Sequence, residues 1–182
     1  MLKRKIYDDL LKWKEERKNG LKKCLMIKGA RQVGKSYIVK AFGKSEYKTF
    51  IYIDFYKQPK MKEIFAGELS PDEIYKRMTA YIPNIELIAG DTLIFLDEIQ
   101  YCANARTAIK FLAEDMRYDV ISSGSLLGLS YSDDDDDLVE APTSIPVGYE
   151  RQITMYSLNV RLRGRMNYVV ISRKLLPNMV TY

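Results

Sequence analysis

Apolar positions near the start of the chain recur at helical rather than alternating spacing. Ile6, Leu10, Leu11 and Trp13 are separated by charges, which predicts an amphipathic helix over residues 5–18, stopped by Asn19-Gly20. Cys24 to Lys28 is a short continuous apolar run ending at Gly29, the pattern of a buried strand. Helical spacing resumes over residues 35–42, with Gly43 as its expected stop. Thr49 to Phe55 is β-branched and aromatic, which predicts a strand. Ser70-Pro71-Asp72-Glu73 reads as an N-cap, a first-turn proline and a capping-box glutamate for a helix over 71–81. Thr92 to Leu96 follows as a buried strand, Ala103 to Asp115 as a helix, Val120 to Ser122 as a strand and Ile153 to Tyr156 as a candidate last strand. Strands that alternate with helices predict an α/β fold, a parallel sheet covered on both faces.

Composition narrows the chemistry. The 182-residue chain contains no His and 2 Cys, which excludes Ser-His-Asp and Cys-His catalysis and His-based metal sites. Cys24 and Cys102 alone make neither a zinc site nor a disulfide framework, and a reduced, cytoplasmic setting is expected. No apolar run approaches the roughly 20 residues of a membrane span, and the basic start lacks the apolar stretch of a signal peptide. No membrane association is expected.

The formal net charge of +5 invites a nucleic-acid partner, but its distribution weakens that reading. Residues 1–23 hold nine basic and four acidic side chains. Residues 159–182 hold five basic side chains (Arg161, Arg163, Arg165, Arg173 and Lys174) and no acidic ones. Residues 1–158 therefore carry 24 of each sign, and the whole surplus equals the charge of the last segment. The run Asp133 to Asp137 reads as a solvated loop, with cation binding as the alternative.

The chemistry is concentrated in three places. Gly29-Ala30-Arg31-Gln32-Val33-Gly34-Lys35-Ser36 matches GxxxxGK[ST] between a predicted strand and a predicted helix. Glycines there let backbone N–H groups converge on phosphate, and the helix N-terminus adds partial positive charge. Lys35 is placed to reach the β- and γ-phosphates and Ser36 to ligate Mg²⁺, with Tyr37 next in the same helical turn. Leu93-Ile94-Phe95-Leu96-Asp97-Glu98 is an apolar strand ending in two acids, the Walker B pattern. Asp97 is expected to hold Mg²⁺ and Glu98 to orient the attacking water. Val120-Ile121-Ser122-Ser123-Gly124-Ser125 offers Ser123 and Ser125 as sensors of the γ-phosphate or the water. Because the Walker A and B strands are not consecutive, a further strand can stand between them in the sheet, the additional-strand arrangement of P-loop ATPases.

The same residues resemble the AAA-type ATPase domain of a prokaryotic family of predicted ATPases, usually followed by a C-terminal domain of unknown function. The resemblance rests on the phrase from Gly29 to Ser36, on Tyr52-Ile53-Asp54-Phe55 and on Ile94-Phe95-Leu96-Asp97-Glu98-Ile99-Gln100. It continues through Ser123-Gly124-Ser125-Leu126-Leu127-Gly128 and Ile145-Pro146-Val147-Gly148 to Met155-Tyr156-Ser157-Leu158. It implies a three-layer P-loop fold with a mainly parallel five-stranded sheet, ATP binding with Mg²⁺, and hydrolysis. The expected division is an ATPase domain over 1–158 and an atypical basic tail over 159–182, read as a truncation or frameshift product, with a genuine short variant carrying a basic arm as the alternative.

Three functions stay open at this level: a Mg²⁺-dependent ATPase, an ATP-switched nucleic-acid-binding protein, and a fragment that binds nucleotide without turnover. Self-association is open as well. Arg151 is the nearest candidate for an arginine acting on the phosphates, and residues 1–23 are expected to form a solvated amphipathic helix packed near the nucleotide.

Overall fold

A computed structural model describes residues 5–124, 148–156, 159–162 and 165–168 of the chain. The elements are α1 (Lys5–Lys18), β1 (Cys24–Gly29), α2 (Lys35–Glu46), β2 (Thr49–Asp54), a 3-10 segment (Pro59–Phe65) and α3 (Pro71–Tyr81). They continue with β3 (Thr92–Asp97), a short 3-10 turn (Ile99–Tyr101), α4 (Ala103–Asp115), β4 (Asp119–Gly124) and β5 (Glu150–Met155). The strands β6 (Asn159–Leu162) and β7 (Arg165–Tyr168) pair antiparallel as a separate two-stranded sheet.

Five strands form the main sheet in the order β2-β3-β4-β1-β5, and every pairing in it is parallel. Alternation along each strand divides the core in two. Leu25, Ile27, Phe95 and Ile121 face Leu10 and Trp13 of α1 and Val39 and Phe42 of α2. Met26, Ile53, Leu96 and Val120 face Ile74 and Met78 of α3, Ile109 and Leu112 of α4, and Phe65. The result is the expected three-layer α/β architecture. The strand between β1 and β3 is β4, which comes later in the chain, while β2 lies on the far side of β3 at the sheet edge. This is the additional-strand order of P-loop ATPases.

Local expectations fail where tertiary contacts override them. Gly43 does not stop α2, which runs on to Glu46. A Cβ at Gly43 would lie 2.2 Å from a Phe50 ring carbon, so this glycine admits the Phe50 ring rather than ending a helix. Ser70 makes no side-chain cap bond at α3; the helix opens on Pro71, and Glu73 pairs with Lys76 at 3.3 Å instead of closing a capping box. The last strand of the main sheet starts at Glu150 and ends before Tyr156, because it pairs residue for residue with β1 from Cys24–Glu150 to Gly29–Met155.

The first helix also sits differently from expectation. Arg17 is buried and donates from Nε to Asp119 Oδ1 at 2.9 Å and from its terminal nitrogens to the carbonyls of Leu21, Ala113 and Tyr118. Trp13 Nε1 donates to the Lys23 carbonyl at 3.0 Å, and Lys14 donates to the Glu46 carbonyl at the end of α2. Those partners lie at the N-terminal ends of β1 and β4 and the C-terminal end of α2, on the rim away from the glycine-rich loop. The helix is thus a built-in part of one layer and is not anchored beside that loop. The acidic run Asp133 to Asp137 lies outside the described residues.

Candidate functional site

The site forms where β1, β3 and β4 end. β1 delivers the chain into the loop Gly29 to Gly34, and α2 starts at Lys35. Gly29 has no room for a side chain: an added Cβ would lie 2.3 Å from the Met155 carbonyl oxygen of the neighbouring β5. Two loop residues turn through the left-handed region, Gln32 at φ 65° and Gly34 at φ 93°. Gly34 adopts it without steric cost, whereas at Gln32 it is a local strain of about 1 kcal/mol. Ala30, Arg31 and Gln32 are exposed on the loop, Val33 packs against the α1–α2 layer, and Ser36 is half-buried. Tyr37 is exposed in the first turn of α2.

Lys35 is buried. Its ammonium donates to the carbonyls of Gly29 at 2.8 Å and Ala30 at 2.9 Å. Burial lowers its pKa from the ordinary lysine value, the charges of Glu98 and Asp97 oppose that shift, and Arg31 adds to it. The lysine that follows the loop and the two acids at the end of β3 therefore share one electrostatic environment, although they are some sixty residues apart in the chain.

Asp97 ends β3 at 2% exposure. Ser123 of β4 donates its hydroxyl to Asp97 Oδ1, and the Tyr52 hydroxyl lies 3.0 Å from Asp97 Oδ2. The Ser123 oxygen also lies 3.5 Å from the Glu98 backbone nitrogen. The sensor candidate is thus bonded to Asp97 itself. Ser125, the other candidate, lies outside the described residues. Glu98 adopts left-handed backbone angles (φ 54°, ψ 50°) and accepts from Gln100 Nε2 at 2.5 Å through Oε2.

Two further residues join the site that their own motifs did not mark. Asp54 ends β2 directly opposite Asp97 and is 4% exposed. The Tyr52 hydroxyl lies 2.9 Å from Asp54 Oδ2 as well. Burial works to raise the Asp54 pKa, but the Lys57 N–H, the Tyr52 hydroxyl and the Lys57 ammonium hold it below the ordinary carboxylate value. Burial, then the Asp97 charge and the bond to Asp54, push the Tyr52 phenol far above its usual range, so it keeps its proton. The signal in the sequence was the phrase Tyr52-Ile53-Asp54-Phe55, which carried a resemblance but no role, and it gains meaning only once β2 is known to flank β3.

Arg151 does not reach this site. It is the second residue of β5, opposite Leu25, and it pairs with Glu16 of α1. The nearest sequence candidate for an arginine acting on the phosphates is therefore occupied near the other rim of the sheet.

A parallel sheet in this order, a glycine-rich loop feeding a helix and a two-acid strand end define a P-loop ATPase module. The signature of the AAA domain matches residues 21–163, and the chain belongs to that family. The match begins after α1 and runs beyond Leu158. No curated protein matches the chain. Among solved structures, the Pif1 helicase from Candida albicans is 13% identical with a TM-score of 0.52, over 87% of this chain and 40% of that one. C. elegans PCH-2 is 11% identical with a TM-score of 0.48, over 83% and 42%. A Walker-type ATPase of Pyrococcus abyssi is 17% identical with a TM-score of 0.45, over 87% and 55%. The chain thus spans about half or less of the length of these structures, and the likeness is one of fold.

Proposed function

We propose that the chain binds ATP with Mg²⁺ and hydrolyses it. The observation that carries the reading is that Lys35, at the start of α2 after β1, and Asp97 and Glu98, at the end of β3, stand at the same edge of the sheet on either side of β4, with Ser123 of β4 bonded to Asp97. The loop from Gly29 to Ser36 supplies backbone donors for phosphate oxygens, and Lys35 exchanges two loop carbonyls for the β- and γ-phosphates. Tyr37 and the exposed residues Ala30, Arg31 and Gln32 border the nucleotide.

The donors fit Mg²⁺. Ser36 and Asp97 offer hard oxygens, and among the described residues no group of three His, Cys, Asp or Glu forms a closed metal cage. Ser36 and Asp97 would hold such a cation, and it would supply charge neutralisation for the transferring phosphoryl group. Glu98 keeps Oε1 free of the Gln100 bond and accepts a hydrogen bond from the attacking water, which it aligns with the γ-phosphorus.

Lys35→Ala should abolish measurable ATP binding in a fluorescent-nucleotide titration; unchanged affinity would reject the site. Glu98→Gln should bind ATP as the parent does and release phosphate about 10²-fold more slowly. A parent protein that turns over no faster than this variant is the inactive nucleotide-binding fragment. The nucleic-acid alternative draws less support, since Arg17 and Lys14 of the basic N-terminal segment are committed to Asp119 and Glu46. With Arg151 paired to Glu16, a transition-state arginine from a second copy is the natural source, and specific activity should then rise with protein concentration.

A further inference from the structure

We propose that Tyr52 and Asp54 are positioning residues of the cation site: the Tyr52 hydroxyl caps Asp97, and Asp54 is the second acceptor onto which that hydroxyl turns when a divalent cation draws on Asp97. This inference rests on the ATP and Mg²⁺ reading above.

The geometry is that of a two-position device. The Tyr52 oxygen lies 3.0 Å from Asp97 Oδ2 and 2.9 Å from Asp54 Oδ2. A phenol carries one proton, so it donates to one carboxylate at a time. The O–H prefers the ring plane, where it has two orientations, one toward each side of the oxygen. The ring itself is held: the Lys40 ammonium lies 3.6 Å from its centroid, and the Phe95 ring packs at 5.5 Å. Only the hydroxyl hydrogen needs to move.

The two acids differ in what else supports them. Asp54 Oδ1 accepts from the backbone N–H groups of Tyr56 at 3.2 Å and Lys57 at 3.0 Å, and its Oδ2 pairs with the Lys57 ammonium at 3.2 Å. Asp54 therefore stays charged whether or not the phenol donates to it. Asp97 forms no ion pair among the described residues, and its side-chain partners are Ser123 and Tyr52. Before a cation arrives, the phenol proton best serves Asp97. Afterwards, a proton aimed at Asp97 Oδ2 competes with the cation and its water, and the waiting lone pair of Asp54 removes the conflict. No bond to hydrogen breaks.

A double-mutant cycle on the full chain tests this, with the Mn²⁺ dissociation constant of the complex with a non-hydrolysable ATP analogue read by electron paramagnetic resonance. Asp54→Asn keeps an oxygen for the two backbone N–H groups but turns an amide donor toward the phenol, which drives the phenolic proton onto Asp97. Mn²⁺ binding should weaken about tenfold. In a Tyr52→Phe background, where there is no proton to misdirect, the same change should cost less than about twofold. Asp54→Ala removes the acceptor altogether and should repeat this pattern, weakening Mn²⁺ binding about tenfold with Tyr52 present and less than about twofold in the Tyr52→Phe background. Affinity for the analogue in EDTA should stay equal in all variants, which reports intact folding and an intact phosphate site. An equal loss from Asp54→Asn with and without Tyr52 would overturn the inference, as Asp54 would then act through charge alone. No loss in either background would overturn it as well. If the parent protein binds no analogue even with Mn²⁺, the ATP reading falls and takes this inference with it.

Discussion

Glu98 and Gln100 show how much of this site depends on the aim of single side chains. Glu98 sits in a left-handed backbone conformation that costs an ordinary residue about 1 kcal/mol, and Gln100 Nε2 grips one of its two carboxylate oxygens at 2.5 Å. Losing that grip should leave nucleotide affinity alone and spoil the water's alignment. Gln100→Leu is expected to slow phosphate release about tenfold at unchanged ATP affinity, measured by titration and steady-state assay side by side. Cys24 illustrates the opposite, inert case. Burial pushes its thiol up to about 12, and Cys102 is buried too. Neither should react with iodoacetamide at pH 8 in the native protein, because the thiolate and the access are both lacking. Both should label once the chain is unfolded, and mass spectrometry distinguishes the two states.

Among the elements, α2 and β2 show where sequence rules give way. A glycine after a run of helical spacing normally marks an end, yet Gly43 is interior and its missing side chain is filled by the Phe50 ring of β2. Gly43→Ala, a favourable change on helix propensity alone, should instead destabilise the protein by about 1–3 kcal/mol in a denaturant melt. Stabilisation would show that the helix–strand approach is not as close as described. Gly29 at the end of β1 is stricter, because its neighbour is the backbone oxygen of Met155, which cannot rotate away. Strand β2 also changes meaning with its position. Read along the chain it is a strand between two motifs; placed at the sheet edge beside β3, it brings Tyr52 and Asp54 to Asp97.

Across the molecule, the most consequential long-range tie is Arg17. It spans from α1 to the start of β4 and the end of α4, with its side chain 2% exposed and Asp119 15% exposed. Tyr47 donates to the other Asp119 oxygen at 2.7 Å, so one half-buried carboxylate joins α1, the end of α2 and β4. Removing the arginine strands that acid and three carbonyls. Arg17→Ala should lower the unfolding free energy by about 3 kcal/mol, and deleting α1 should cost more because Leu10 and Trp13 are fully buried. Thermal melts would settle this, even though the family match starts only at residue 21. Among the described residues no helix is long and apolar enough to cross a membrane.

What the sequence determined by itself is mostly local or periodic. The runs Thr92 to Leu96 and Ala103 to Asp115 appear nearly as read, because apolar period and length decide an element without reference to its neighbours. The glycine-rich phrase and the two-acid strand end were legible for the same reason, since each is a contiguous string whose chemistry follows from its own spacing. Pairwise placement was not legible. The order β2-β3-β4-β1-β5 sets β4 beside β3, so that Ser123 bonds Asp97, and sets Asp54 against it from the other side. It also carries Arg151 to Glu16, away from the glycine-rich loop, and makes the basic first helix a structural wall. Those outcomes depend on which strand ends meet across the sheet, a long-range property that no window of residues encodes. Residue type told which groups could do the chemistry; the tertiary fold decided which of them stand together.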